Sequence, residues 1–295
     1  MVDVRDVLAW RLGWDTARRG GHGVGGPGAD GEYALHAQIL ALHGQGRLAE
    51  ALTLAYHAVT AYPNSTPAHY TYAGLLRDCG RERDALAVID EVLRVDPSAD
   101  ALVLRGDLRR ALSGAHAAEA DYLEALRRHP GHPLAIHNLA VGRLRMGTTT
   151  AAVRGLLEAG RLDPGLAPLA LHNIGLALTR VLRWATASVV FLAAALIAVT
   201  ALQDAGQSTV WPRLLAAVAT LPLITALIWT VRTLPGPPLR AVLRAHRLLG
   251  ARLLVLAVAV LAGVVAAAVG TAGVTGMLLL FAMVGLTVLG WIVGE

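Results

Sequence analysis

The sequence contains no lysine and only one cysteine, Cys79. All 26 of its basic residues are therefore arginine. Without lysine the chain can form neither a phosphate-binding loop of the P-loop type nor a Schiff base, because both require a lysine amine. A single cysteine excludes an internal disulfide and a cysteine-rich metal site. Several enzyme classes are thus removed before any motif is considered.

Charge is also scarce, since charged residues make up 16% of the 295 residues and hydrophobic residues 55%. A composition this apolar is typical of membrane proteins. The net charge of +5 arises entirely after residue 180, where seven arginines face only two acidic residues. Because the basic excess belongs to the apolar half, we predict no nucleic-acid partner.

Asp, Glu, Arg and His are absent from the interiors of four long apolar runs, which cover 184–202, 212–231, 251–270 and 273–294. At a rise of about 1.5 Å per residue, each run is long enough for a hydrocarbon core of about 30 Å. We therefore predict four transmembrane helices. The lack of ionisable groups inside them disfavours an ion or proton pathway.

The arginines predict the orientation of these helices. One arginine, Arg213, falls on one predicted side, whereas the opposite side holds Arg183, Arg232, Arg240, Arg244, Arg247 and Arg252. Cytoplasmic loops carry the excess of arginine in membrane proteins. We expect a multi-pass protein of the cell's inner membrane, with both termini in the cytoplasm.

The first half of the chain is periodic. Prolines recur at Pro63, Pro97, Pro130 and Pro164, glycines at Gly46, Gly80, Gly114 and Gly147, and alanines at Ala51, Ala85, Ala118 and Ala152. A period of 33 or 34 residues indicates stacked supersecondary units. Glycine allows a tight turn between two helices, small residues allow the helices to approach closely, and proline ends the second helix. Each unit is predicted to be a helix hairpin.

This period and the fragments LRGDLRRAL and IHNLAVGRL, at 104–112 and 136–144, resemble the tetratricopeptide repeat family. The resemblance covers about 32–180, although Gln38 and Ile39 depart from the pattern in the first unit. It implies an all-α fold with about four repeats and a half-repeat. It also implies a right-handed superhelix whose first helices line a groove for peptides or partner helices.

Residues at equivalent places in successive units form the candidate binding site, which consists of Tyr70, Arg77, Asp107, Arg110, His137, Arg145 and His172. The three arginines fall nearly in register when counted back from the closing prolines. Such a ladder would bind an acidic segment or a C-terminal carboxylate through charge-assisted hydrogen bonds. The alternative is that these side chains form a solvated face, since the family's carboxylate clamp needs lysines that this chain lacks.

Four segments are predicted: an amphipathic helix at 1–19, a glycine-rich linker at 20–31, a repeat domain at 32–182 and a membrane domain at 183–295. GHGVGG at 21–26 formally matches a dinucleotide fingerprint, but no strand precedes it, so we interpret it as linker. Because no glycine or proline interrupts Leu176 to Ala205, one continuous helix is expected to join the repeats to the first membrane span.

These patterns together predict a non-enzymatic, membrane-anchored scaffold that recruits a protein partner at the cytoplasmic face and contacts membrane lipid. The alternative is a subunit of a small channel or transport complex, regulated by the repeats. Scattered histidines and a lack of any nucleophile with its base predict neither metal nor cofactor. Glycine-rich final helices would allow close packing, including in a homo-oligomer.

Overall fold

The structure is a computed structural model that describes residues 27–234 and 236–269, together with positions 282 and 285. It divides into two compact units, Met1–Ala167 and Pro168–Glu295. The described residues are helical and contain no strand, so the predicted all-α fold is confirmed. The predicted amphipathic helix at 1–19 lies outside the described residues, as does the predicted fourth span at 273–294 apart from those two positions.

The first unit is a row of four helix hairpins. The hairpins pair α1 (Pro27–Gly44) with α2 (Leu48–Ala61), α3 (Thr66–Asp78) with α4 (Glu82–Val95), α5 (Ala99–Ser113) with α6 (Ala115–Arg128), and α7 (Pro133–Arg145) with α8 (Thr149–Leu162). Consecutive helices contact one another along the whole row. The predicted tetratricopeptide-type array is thus confirmed. Helix α1 begins at Pro27, so residues 27–31, predicted as linker, form its first turn.

Local chemistry explains where these helices turn and end. The four predicted turn glycines have positive φ angles, between +73° at Gly80 and +90° at Gly114, which L side chains rarely adopt. Each second helix ends two residues before its closing proline, as α2 does before Pro63. The residue before a proline is sterically disfavoured in the α region, so the helix cannot continue through it.

Small residues form the contact between the two helices of each hairpin. The four alanines predicted for this role are fully buried, as are Ala125 and Ala159, which lie about two turns after Ala118 and Ala152. In the third hairpin, Gly106 faces the ring of Tyr122, and a Cβ on Gly106 would lie 2.6 Å from Cε1 of that ring. The glycine therefore makes room for a buried aromatic side chain on the neighbouring helix.

The second unit contains longer helices. They are α9 (Ala167–Asp204), α10 (Val210–Thr233), α11 (Gly236–Ala245) and α12 (Arg247–Val269), and a single turn of 3₁₀ helix at Pro164–Leu166 precedes α9. The expected continuous helix is confirmed, because α9 runs unbroken for 38 residues. Among the described residues, three helices are long and apolar enough to cross a membrane, at 164–204, 210–233 and 248–268.

Helices α10 and α12 pack together at two places. A Cβ on Gly263 would lie 2.0 Å from Oγ1 of Thr220, so the glycine is required for this approach. At the other place, Arg213 donates to the carbonyl oxygens of Ala267 at 2.8 Å and Ala268 at 3.0 Å. The start of α10 therefore lies beside the last described turn of α12. The two helices are consequently antiparallel.

Candidate functional site

The first helix of each hairpin contributes to one surface of the repeat unit. We call it the first-helix surface, formed by α1, α3, α5 and α7, each of which contacts the next. Polar pairs about one repeat apart connect these helices, including His43 with Asp78 at 3.0 Å and His132 with Asp100 at 2.9 Å. Side chains separated by a full repeat are therefore neighbours on this surface.

Asp107 on α5 is the centre of the largest polar cluster on the first-helix surface. Its Oδ1 accepts hydrogen bonds from the Tyr122 hydroxyl at 2.7 Å and from Nδ2 of Asn138 at 2.8 Å. Guanidinium nitrogens of Arg77 and Arg110 lie 4.0 and 3.8 Å from its oxygens. Burial raises the pKa of Asp107 above its ordinary value, although Arg77, Tyr122 and Arg110 act in the opposite direction.

Asp78 is a second carboxylate in this cluster. It accepts from Nε of Arg77 at 2.9 Å and lies 3.0 Å from Nε2 of His43. Burial alone would raise the pKa of Asp78, but the hydrogen bonds from His43 and Arg77 outweigh it and hold the pKa below its ordinary value. Two carboxylates thus lie beside the two arginines. This part of the surface therefore carries both negative and positive charge and is not a purely basic ladder.

Four of the seven predicted site residues belong to this cluster. Tyr70 is half-buried, and its pKa is raised by burial and then by the charge of Asp100, while Arg77 and Asp107 also act on it. The side chains of Arg77 and Arg110 remain 20% and 31% exposed. The structure therefore brings Tyr70, Arg77, Asp107 and Arg110 together.

The other three predicted residues lie apart from the cluster. Arg145 is exposed at the last residue of α7. His137 is only 3% exposed, so it packs inside the repeat unit. His172 belongs to the second unit, where its ring centroid lies 6.0 Å from that of His246. The proposed binding roles of all seven residues stay predictions.

Sequence reasoning missed Asp78, Tyr122 and Asp121. A signal for Tyr122 was present, because Gly106 on α5 left space for a large side chain on the adjacent helix. Asp121 on α6 is almost fully buried and accepts from Arg105 at 2.6 Å and from Arg109 at 3.0 Å. Arg105 also reaches Asp90 on α4 at 3.3 Å. This network joins α4, α5 and α6 and holds the second and third hairpins together.

The second unit presents an apolar surface instead. Helices α10 and α12 expose the large apolar residues Leu214, Leu215, Val218, Leu221, Ile228, Val231, Leu254, Val258, Leu261, Val264 and Val265. Soluble monomers rarely expose contiguous apolar patches larger than about 600 Å². A lipid environment removes the cost of exposing these side chains to water. The apolar helices thus suggest membrane association.

Within the described ranges, no group of three or more His, Cys, Asp or Glu side chains could hold a metal ion. His43 and His132 each have one carboxylate neighbour in place of a ligand set. The clusters on the first-helix surface are therefore suited to hydrogen bonding and ion pairing.

Residues 42–112 match the family model of the tetratricopeptide repeat. No curated protein matches the chain. Among solved structures, MamA is 21% identical, with 47% of this chain and 81% of that chain covered and a TM-score of 0.40. A tetratricopeptide repeat protein from Parabacteroides merdae is 13% identical, with 86% and 98% covered and a TM-score of 0.40. Because these scores lie below 0.5, no property of either protein is transferred to this chain.

Proposed function

Because the chain carries tetratricopeptide repeats followed by membrane-type helices, we propose that it is a membrane-anchored scaffold. Its first-helix surface holds a segment of a partner protein at the cytoplasmic face, and its apolar helices keep that surface at the membrane. We assign it no catalytic role. The observation that carries the proposal is the pairing, in one chain, of a stacked repeat surface with helices whose large apolar side chains are exposed.

The partner segment is proposed to be acidic or to end in a free carboxylate. Arg77 and Arg110 lie 4.0 and 3.8 Å from Asp107, beyond the usual hydrogen-bond distance of about 2.9 Å. Both guanidinium groups are partly exposed, at 20% and 31%, so an incoming carboxylate can reach them from solvent. A hydrogen bond between charged partners contributes about 1.5–3 kcal/mol, so two such contacts are enough to select an acidic segment.

Asp78 and Asp107 restrict how such a segment can bind. Both carboxylates are largely buried, at 9% and 15% exposure, and both are held by hydrogen bonds from neighbouring helices. An incoming carboxylate must therefore approach the exposed edges of Arg77 and Arg110, where repulsion from the buried carboxylates is weakest. Arg145, exposed at the end of α7 and apart from the cluster, is proposed as a further contact for the same segment.

Crosslinking in cells tests the partner. The full chain is purified beside an Arg77→Ala, Arg110→Ala, Arg145→Ala variant, and crosslinked peptides are identified by mass spectrometry. The matched control is Arg94→Ala, Arg128→Ala, Arg161→Ala, which removes three exposed arginines from the second helices α4, α6 and α8. We expect the first variant to lose partners rich in Asp and Glu and the control to keep them. Identical partners from both variants would refute the assigned surface.

Topology is tested separately. A fluorescent protein that folds only in the cytoplasm is fused after Glu295, and alkaline phosphatase, active only outside, is fused at the same place. We expect fluorescence and no phosphatase activity, together with retention of the chain in membranes washed with alkaline carbonate. Phosphatase activity would show that the predicted orientation is wrong, and release by the wash would show that the helices do not span the bilayer.

A further inference from the structure

Helix α11 links the two antiparallel helices α10 and α12 and carries exposed arginines. Arg240 and Arg244 on α11 are exposed, as is Arg232 near the end of α10. Val242, on the same helix, is fully buried. The Arg240 Nε donates to the Gly236 carbonyl oxygen at 3.3 Å, which holds that side chain along the first turn. The helix thus packs by an apolar contact and turns its guanidinium groups outward.

These arginines have no carboxylate of residues 168–269 within reach. The sole acidic residue in that range is Asp204, the last residue of α9. The junction between α11 and α12 lies beside the other end of α9, since a Cβ on Gly175 would be 2.4 Å from Nε2 of His246. Between Gly175 and Asp204 the helix rises about 40 Å. That separation is several times the screening length of about 8 Å at physiological salt.

The position of α11 relative to the apolar helices is set by their antiparallel packing. Arg213, near the start of α10, contacts Ala267 and Ala268 near the end of α12. The end of α10 and the start of α12 therefore meet at the opposite end of the pair, and α11 connects them there. If α10 and α12 cross the bilayer, α11 lies where both leave the hydrocarbon, at the level of the lipid headgroups.

We propose that α11 binds the phosphate groups of anionic lipids through Arg240 and Arg244. This inference rests on the membrane half of the proposed function. The guanidinium group offers paired donors that match phosphate oxygens, and it remains charged at every physiological pH. Each arginine near an anionic surface contributes about fivefold in affinity, so two together contribute roughly 25-fold at moderate ionic strength.

The test uses the full chain, purified in an uncharged detergent and mixed with equal amounts of phosphatidylglycerol and phosphatidylcholine. Native mass spectrometry counts the bound molecules of each lipid. The test variant is Arg240→Gln, Arg244→Gln, and the matched control is Arg94→Gln, Arg161→Gln, which removes two exposed arginines from the first unit. We expect the wild-type chain and the control to prefer phosphatidylglycerol by about tenfold or more, and the test variant to lose most of this preference.

Three results would overturn the inference. The first is equal binding of the two lipids by the wild-type chain, and the second is an unchanged preference in the test variant. The third is displacement of phosphatidylglycerol by inorganic phosphate at equal concentration, because the guanidinium groups of Arg240 and Arg244 would then bind any phosphate and not a lipid surface.

A carbonate wash separates this inference from the proposed function. A chain that stays in the membrane without lipid preference refutes the inference alone, whereas a chain that is released refutes the anchoring.

Discussion

The contact between Gly106 and Tyr122 supplies the sharpest test of the repeat unit. A Cβ added at Gly106 would lie 2.6 Å from Cε1, 2.9 Å from Cδ1 and 3.1 Å from Cζ of the Tyr122 ring. The ring is almost fully buried and has little space into which it can move. Gly106→Ala must therefore displace Tyr122, and with it the hydroxyl that donates to Asp107 at 2.7 Å.

The expected change in unfolding free energy combines three contributions. Overpacking a buried side chain costs about 1–3 kcal/mol. Weakening a hydrogen bond to a carboxylate costs about 1.5–3 kcal/mol. Replacing glycine by alanine inside a helix returns about 1 kcal/mol, because the unfolded chain loses conformational freedom. The net destabilisation is about 1.5–5 kcal/mol.

Urea unfolding of the full chain in detergent, followed by circular dichroism, measures this change. With a slope of about 2 kcal/mol per molar urea, the midpoint of the repeat unit falls by about 0.8–2.5 M. Gly142→Ala on α7 is the matched control, because its Cβ would meet only Ala115 at 3.8 Å, an ordinary contact. We expect the control to match or slightly exceed the wild type. An unchanged midpoint for Gly106→Ala, or an equal loss in both variants, would refute this account of the packing.

Two further predictions concern α12 and α1. Gly263→Ala should weaken the packing of α12 on α10 by about 1–3 kcal/mol, since the new Cβ meets Thr220 Oγ1 at 2.0 Å. Unfolding in sodium dodecyl sulfate measures it, and Gly250→Ala, whose Cβ would meet Leu243 at 3.9 Å, is the control that should stay near wild type. Burial lowers the pKa of His36 from 6.5 to about 4, because it disfavours the charged imidazolium. The full unfolding free energy is therefore present above pH 6.5, where His36 is neutral in both states, and it declines as pH falls towards 4. The loss approaches about 3 kcal/mol. His36→Gln should flatten the decline in unfolding free energy between pH 6.5 and 4. The control is His57→Gln, which replaces an exposed histidine and should leave the decline unchanged. An equally steep decline in both variants would contradict the role given to His36.

The sequence predicted best where local chemistry decides the outcome. The turns at Gly46, Gly80, Gly114 and Gly147 all have positive φ, because glycine alone adopts that conformation without strain. The second helices end before their prolines for the steric reason that was anticipated. The continuous helix α9 also followed from composition alone, since nothing between Leu176 and Ala205 breaks a helix.

The candidate site could be predicted only in part. The repeat register placed Arg77 and Arg110 at equivalent positions, and the structure brings both to the same cluster. The repeat register could not place Asp78 or Tyr122 in the cluster, because the rotation of each helix about its axis decides which side chains point toward it. His137, predicted at the surface, is buried for the same reason.

By itself, the sequence determined the repeat, its turns, its helix ends and the apolar helices, because each depends on neighbouring residues or on a period along the chain. Only the tertiary structure decided that Asp107 stands between Arg77 and Arg110, that Gly106 accommodates Tyr122, and that Arg213 contacts α12. These contacts join residues that are up to 55 positions apart. Their formation depends on how helices cross and rotate against one another, which the order of residues does not specify locally.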